Sequence, residues 1–63
     1  MTLKELKQYC IDAYLKHPEL KSEIISLYNL CIDEISEGDD EHHQINLCWA
    51  DVKDLIEETN DTQ

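Results

Sequence analysis

The stretch from Pro18 to Gly38, PELKSEIISLYNLCIDEISEG, constrains the fold more than any other part of this chain of 63 residues. When its residues are placed at about 100° intervals around a helix, eight of its apolar side chains fall in one arc of roughly 160°, interrupted only by Lys21. Contact with one neighbouring helix needs a stripe of only about 100°, so this arc predicts a helix packed between two neighbours. We expect this helix to be the most buried of the protein, with Ile24, Leu27, Cys31 and Ile35 at its centre.

The sequence before this stretch predicts a first helix over about residues 3–16. Thr2 and Glu5 have the spacing of a capping box, in which each side chain bonds the backbone N–H of the other residue. Pro18 disfavours the α conformation at His17, which ends the first helix, and Pro18 itself suits the first position of the second helix. We expect His17 to have a local structural role at this helix end.

The sequence after the stretch predicts a third helix. Gly38 can adopt the left-handed conformation that closes the second helix, and the segment 39–41, Asp-Asp-Glu, supplies an N-cap and negative charge for the next one. The chain is therefore predicted to be a single all-α domain over residues 1–63. Its expected architecture is a three-helix bundle, a short N-terminal helix packed on an antiparallel helical hairpin, with helices at about 3–16, 18–37 and 41–58 and a frayed tail at 59–63.

Some apolar residues do not fit these three core faces. Ile11 and Leu15 form a second stripe on the first helix, and they either pack on the third helix or meet another molecule. A chain of this size buries only about 60% of its unfolded surface and is marginally stable, so oligomerisation is a reasonable expectation. We expect a homodimer, with self-association through Ile11, Leu15, Leu30 and Leu47.

The charge of the chain is strongly negative and unevenly distributed. Fifteen acidic residues stand against five lysines and no arginine, which gives a formal net charge of −10. Residues 1–21 carry four lysines and three acids, a net charge of +1, and residues 22–63 carry one lysine and twelve acids, a net charge of −11. Phosphate binding needs clustered Lys or Arg, so we expect no direct binding to nucleic acid or to membranes, and a basic protein surface as the partner. The alternative is a solvated face that only keeps the chain soluble.

The acidic face expected to bind that partner lies on the second and third helices and in the turn between them. It consists of Asp33, Glu37, Asp39, Asp40, Glu41, Asp51, Asp54 and Glu58.

Residue types that could carry chemistry are few. His42 and His43 follow Asp39, but only Asp39 and His43 have the i, i+4 spacing that brings two ligands to one ion, so these three residues are weak metal candidates at a helix start. No catalytic motif or phosphate-binding loop occurs, and we expect neither an enzyme nor a cofactor. The three cysteines, an odd number, fall on predicted core faces and indicate a reducing, cytoplasmic setting. No apolar run approaches the length of a membrane span.

The segment over about residues 17–58, HPELKSEIISLYNLCIDEISEGDDEHHQINLCWADVKDLIEE, resembles short acidic helical-hairpin proteins encoded in bacteriophage genomes. In those proteins an "LKSEI…LY…ALDEIEEG" helix is followed by an acidic turn, a His and an "IEL…IEDLIE" helix. The doubled Asp39-Asp40 departs from that pattern, which has a second Gly and a Ser there. The resemblance implies a small phage or mobile-element protein that acts by binding.

Two functional hypotheses follow from these observations. The first is a non-enzymatic interaction protein that binds a basic host protein and modulates or inhibits it, in one version as a nucleic-acid mimic. The second is a structural or assembly protein that self-associates through its apolar stripes.

Overall fold

The computed structural model describes the backbone of residues 1–61 and the side chains of residues 1–59. Within that part of the chain there are three α-helices and no strand: α1 at Leu3–Lys16, α2 at Lys21–Ser36 and α3 at Glu41–Asp61. A 3₁₀ turn at Pro18–Leu20 joins α1 to α2. Each helix packs against the other two. The predicted all-α three-helix bundle is therefore confirmed.

Helix α1 has the predicted bounds, and local bonds fix both of its ends. The Thr2 hydroxyl accepts a hydrogen bond from the Glu5 N–H at 3.2 Å, and the Glu5 carboxylate accepts one from the Thr2 N–H at 2.9 Å. This reciprocal pair is the predicted capping box. At the other end His17 leaves the helical conformation at φ −128°, as expected before Pro18, while its N–H still donates to the Ala13 carbonyl.

The predicted helix 18–37 is wrong at both ends, and more so at its start. Residues 18–20 form a 3₁₀ turn in which the Leu20 N–H donates to the His17 carbonyl at 2.9 Å. Leu20, the last residue of this turn, has φ −100° and ψ 1°, so its backbone departs from the α-helical conformation just before α2 begins. A helix start has four N–H groups without intrahelical partners, and tightening to i→i+3 bonds is one common way to satisfy them.

The end of α2 is closed by Gly38, as predicted. Gly38 has φ +104°, its N–H donates to the Ile35 carbonyl, and the Asp39 N–H donates to the Glu34 carbonyl. These two bonds are those of a Schellman motif, which needs a residue with positive φ. The chain therefore reverses direction within a few residues.

Helix α3 begins as predicted and ends later than predicted. The Asp40 carboxylate accepts a hydrogen bond from the His43 N–H at 2.9 Å, which makes Asp40 the N-cap. The helix continues through residues 59–61, which were predicted to be a frayed tail, and residues 62–63 lie outside the described part of the chain. The loss of apolar periodicity after Glu58 marks the end of packing, whereas no Gly or Pro is present to end the helix itself.

The core draws equally on the three segments of the bundle. Leu6, Ile24, Ile45 and Val52 are at most 1% exposed. The full buried set is Leu6, Cys10, Ala13, Leu20, Ile24, Cys31, Ile45, Cys48 and Val52, three from α1, three from α2 with its 3₁₀ turn and three from α3. The expectation that the second helix is the most buried is therefore wrong. Leu27 and Ile35 are only half-buried. Leu27, at one edge of the apolar arc, lines an outer groove between α2 and α3, and Ile35 lies one residue before the end of α2.

The second apolar stripe of α1 does not pack on α3. Ile11 lines a small groove between α1 and α2 together with Ile25 and Tyr28. Leu15, one turn further along α1, is 68% exposed. The first of the two alternatives for this stripe is therefore wrong, and Leu15 remains available to solvent. In the described part of the chain, no helix combines the length and apolarity that a bilayer crossing requires.

Candidate protein-interaction groove

An open groove of about 620 Å³ runs between α2 and α3, and no residue of α1 lines it. It continues into a smaller depression of about 80 Å³ that shares Leu27, Leu30 and Asp51 with it. We call the two together the α2–α3 groove. Its apolar floor and acidic rim are made by Leu27, Leu30, Leu47, Leu55, Glu23, Asp51, Asp54 and Glu58.

Helical periodicity explains why these residues lie together. On α2, Glu23, Leu27 and Leu30 are spaced i, i+4, i+7, and on α3 the positions 47, 51, 54, 55 and 58 repeat the same spacing. Each set is therefore one stripe along its helix, next to the core stripe. Since the short turn at Gly38 makes α2 and α3 antiparallel, the two stripes form the two walls of one groove.

The floor of the groove is apolar and accessible. Leu30 is 55% exposed and Leu47 is 44% exposed, while Leu27 and Leu55 are half-buried. The structure thus brings together two of the four residues predicted for self-association, Leu30 and Leu47. The other two, Ile11 and Leu15, are on α1 and do not line this groove.

The predicted acidic residues are all exposed, but they belong to two groups. Asp51, Asp54 and Glu58 line the α2–α3 groove. The remaining five lie at the opposite end of the hairpin, around the turn that joins α2 to α3, and they are Asp33, Glu37, Asp39, Asp40 and Glu41. Sequence reasoning missed Glu23, which joins the groove from α2; its spacing to Leu27 and Leu30 was the signal that could have found it.

No lysine lines the groove among the residues that the structure describes. The two lysines of α2 and α3 are placed over aromatic rings: Nζ of Lys21 lies 5.3 Å from the centre of the Tyr14 ring, and Nζ of Lys53 lies 5.1 Å from that of Trp49. Within residues 1–59 the one ion pair is His17 Nδ1 to Glu19 Oε1 at 3.8 Å, outside the groove. The carboxylates of the groove therefore have no cationic partner in the part of the chain described.

Of the three weak metal candidates at the start of α3, Asp39 is held by local hydrogen bonds. The Asp39 carboxylate accepts hydrogen bonds from the Asp40 N–H at 2.8 Å and from Gln44 Nε2 at 2.6 Å. His42 and His43 are exposed. Over the described residues, no group of three or more His, Cys, Asp or Glu side chains is arranged to hold a metal ion.

The three cysteines are free thiols in the core, one from each helix, as the sequence predicted. Interaction with the Cys48 thiol lowers the pKa of Cys10, whereas interaction with the Cys10 thiol and burial raise the pKa of Cys48 far above its ordinary value. Burial raises the pKa of Cys31. Cys48 and Cys31 are therefore held as neutral, protonated thiols, which suits small apolar side chains of a core.

Comparison of this chain with protein-family models, with curated proteins and with solved structures finds no match. Function is therefore inferred from the chemistry of the surface described above.

Proposed function

We propose that this chain is a small non-enzymatic interaction protein, encoded by a phage or mobile element, that binds a basic protein surface in the cytoplasm of its host and modulates or inhibits that protein. The observation that carries the proposal is the grouping of Glu23, Asp51, Asp54 and Glu58 around one groove in which, over residues 1–59, they have no lysine partner. Exposed carboxylates of this kind stabilise the fold little. Their field attracts a positively charged partner and speeds its association.

A more specific form of this proposal is that the carboxylates imitate the phosphates of a nucleic acid. The three carboxylates of α3 in the groove follow one another at rises of about 4.5 and 6 Å, from the rise of 1.5 Å per helical residue. Phosphates of one DNA strand follow one another every 3.4 Å along the axis, so the acidic array is sparser than the one it would imitate. The main proposal therefore requires only that the partner be a basic protein. The mimicry proposal also requires that this partner bind nucleic acid.

The experiment is capture of partners from host lysate on the immobilised chain at low and high salt, followed by binding measurements on the purified partner. We expect fast association, an affinity that falls steeply as salt is added, and, for the mimic, competition by nucleic acid. Reversal of three carboxylates of the groove should abolish binding and leave the helical circular dichroism unchanged; the substitutions are Asp51→Lys, Asp54→Lys and Glu58→Lys.

A matched control changes the same number of charges away from the groove. It carries Asp12→Lys, Glu19→Lys and Glu57→Lys. Binding of the partner should persist in this control, although the long-range attraction is weaker. A partner captured equally at both salt concentrations, and unaffected by either triple variant, would show that the acidic residues are only a solvated surface.

The exposed apolar residues favour a second function, assembly by self-association. Leu15, Ile25, Leu30 and Leu47 are each more than a third exposed. Two copies bring together charges of −10 each, so an assembly held by these residues should strengthen as salt screens that repulsion. Light scattering at high protein concentration and moderate salt should then give the mass of a dimer. The mass of a monomer under those conditions would eliminate this function.

A further inference from the structure

We propose that the α2–α3 groove is a docking site for a basic amphipathic α-helix of the partner protein, an inference that rests on the proposed function and names the element that is bound. The first reason is the floor. Leu30 and Leu47 are about half exposed, and with Leu27 they line a continuous depression. Scattered apolar residues on a surface need no explanation, but a contiguous apolar strip with a polar rim is typical of an interaction site.

The second reason is the distribution of charge around that floor. Glu23 lies on the α2 wall, and Asp51, Asp54 and Glu58 lie on the α3 wall. The floor can contact the apolar side chains of a ligand, and the two acidic walls can contact cations that flank those side chains. A helix that carries one apolar stripe flanked by Lys or Arg has this arrangement, and a helix laid in an apolar groove is a recurring mode of peptide recognition.

The third reason is the length of the groove. From Leu47 to Glu58 the α3 wall has twelve residues, and the eleven rises of 1.5 Å between them span about 16 Å. This corresponds to about three turns of a bound helix, which presents apolar residues at i, i+4 and i+7 to the floor. A bare cation or a flat basic surface would leave Leu30 and Leu47 in water.

The charges argue against a second copy seated groove to groove. Such a contact would place eight carboxylates, four from each copy, around one apolar centre with no lysine lining either groove. Like charges brought together in this way oppose association. A second copy could also place its α1 in the groove, through the exposed Leu15. That helix has three lysines and two acids, a net charge of only +1. A more basic helix complements the rim better.

The test uses the full chain and two fluorescent synthetic peptides of about fifteen residues made of Leu, Ala and Lys. One has its leucines at i, i+4 and i+7 with lysines flanking that stripe, and the other has the same composition with the leucines spread around the helix. Fluorescence anisotropy should show that the amphipathic peptide binds about tenfold tighter than the dispersed one.

Two pairs of variants locate the contact. Leu30→Ser with Leu47→Ser should weaken binding of the amphipathic peptide by about tenfold or more, while Leu15→Ser, an exposed leucine outside the groove, should leave it unchanged. Because Leu30 and Leu47 are exposed, the melting temperature should change little, which separates lost contact from lost fold.

A second pair of variants, which changes charges, separates this inference from the proposed function. Asp51→Asn with Asp54→Asn should weaken binding and flatten its salt dependence. The control, Glu57→Gln, should change neither, because Glu57 is an exposed residue of α3 that does not line the groove.

Each outcome decides the matter. If both peptides bind equally, the leucine variants have no effect and the Asp51/Asp54 variant binds more weakly, the groove is not a helix site and the proposed function stands. If neither peptide binds, or binding is independent of salt and of the acidic residues, the helix-docking inference and the proposed function are both wrong. If light scattering shows an oligomer that both Leu30→Ser and Leu15→Ser dissociate, the occupant is α1 of a second copy and the proposal is overturned.

Discussion

The two sides of the α2–α3 hairpin have similar apolar residues, but one side is buried and the other is exposed. On one side α1 covers Ile24, Ile45 and Val52 so completely that each is at most 1% exposed. On the other side Leu30 and Leu47 remain about half exposed, with acidic residues around them. The helices and their propensities are the same on both sides, so the position of α1 alone makes the difference. Within the described residues α1 covers one side of the hairpin, and the uncovered side carries Glu23, Asp51, Asp54 and Glu58.

The sharpest test of this comparison is to truncate one side chain on each side. Ile24→Ala should destabilise the fold by about 2 to 5 kcal/mol, because it removes a fully buried side chain and leaves a cavity. Leu30→Ala should change the free energy of unfolding by about 0.5 kcal/mol or less, since Leu30 is already mostly in water. Chemical denaturation followed by circular dichroism measures both. A variant Ile24→Ala that melts within a degree or two of the parent would contradict the assignment of the covered side.

A smaller effect is expected at the turn that holds both sides in place. Gly38 has φ +104°, and a Cβ atom added there would meet no atom within 4 Å, so the cost of Gly38→Ala is backbone strain alone. That strain is about 1 to 2 kcal/mol for a residue with a Cβ atom in a left-handed conformation. Gly38→Asn should cost less, because Asn tolerates this region better than Ala. Equal stabilities of the two variants in thermal melts would show that the hairpin does not depend on this conformation.

The smallest effect concerns the covering helix. Thr2→Ala removes the N-cap of α1 and should destabilise the protein by about 0.5 to 1 kcal/mol. Hydrogen bonds from the backbone and side chain of Thr2 also hold the pKa of Glu5 below its ordinary value of 4.5. A depressed pKa means that this stabilisation is present above the ordinary value and is lost as the pH falls through the lower pKa of the folded state.

An NMR titration of the Glu5 carboxyl checks this prediction. Its pKa should be low in the parent and should rise part of the way toward the ordinary value in Thr2→Ala, because this substitution removes the hydroxyl but keeps the backbone N–H that bonds the Glu5 carboxylate. An unshifted Glu5 in the parent would show that the capping box does not persist in solution.

The parts of the fold set by neighbouring residues could be predicted from the sequence. The capping box at Thr2, the end of α1 before Pro18 and the turn at Gly38 depend on local geometry, and all are present. The 3₁₀ turn at Pro18–Leu20 was missed because proline is equally compatible with an α-helical start. The last turn of α3 was missed because polar residues without periodicity can still be helical.

The candidate site could be predicted only in part. The helical wheel shows which residues share a stripe, and it placed Asp51, Asp54 and Glu58 together. It does not show which stripe faces the bundle axis, so Leu27 and Ile35 were expected at the centre of the core and are half-buried instead. Glu23 was missed for the same reason, because its membership of the groove depends on the side of the hairpin that α1 leaves uncovered.

The packing of α1 on one side of the hairpin also gives the molecule an electric dipole across its short axis. Helix α1 has three lysines and two acids, a net charge of +1, while residues 22–63 carry −11 on α2, on α3 and in the turn between them. The body is only 17 to 19 Å across its two shorter axes. In the field of a cationic surface such a molecule rotates before it makes contact, and the face that turns toward the cation is the one farthest from α1. The helix that stabilises the fold therefore also orients the molecule during its approach, since it adds positive charge to the side that is already closed.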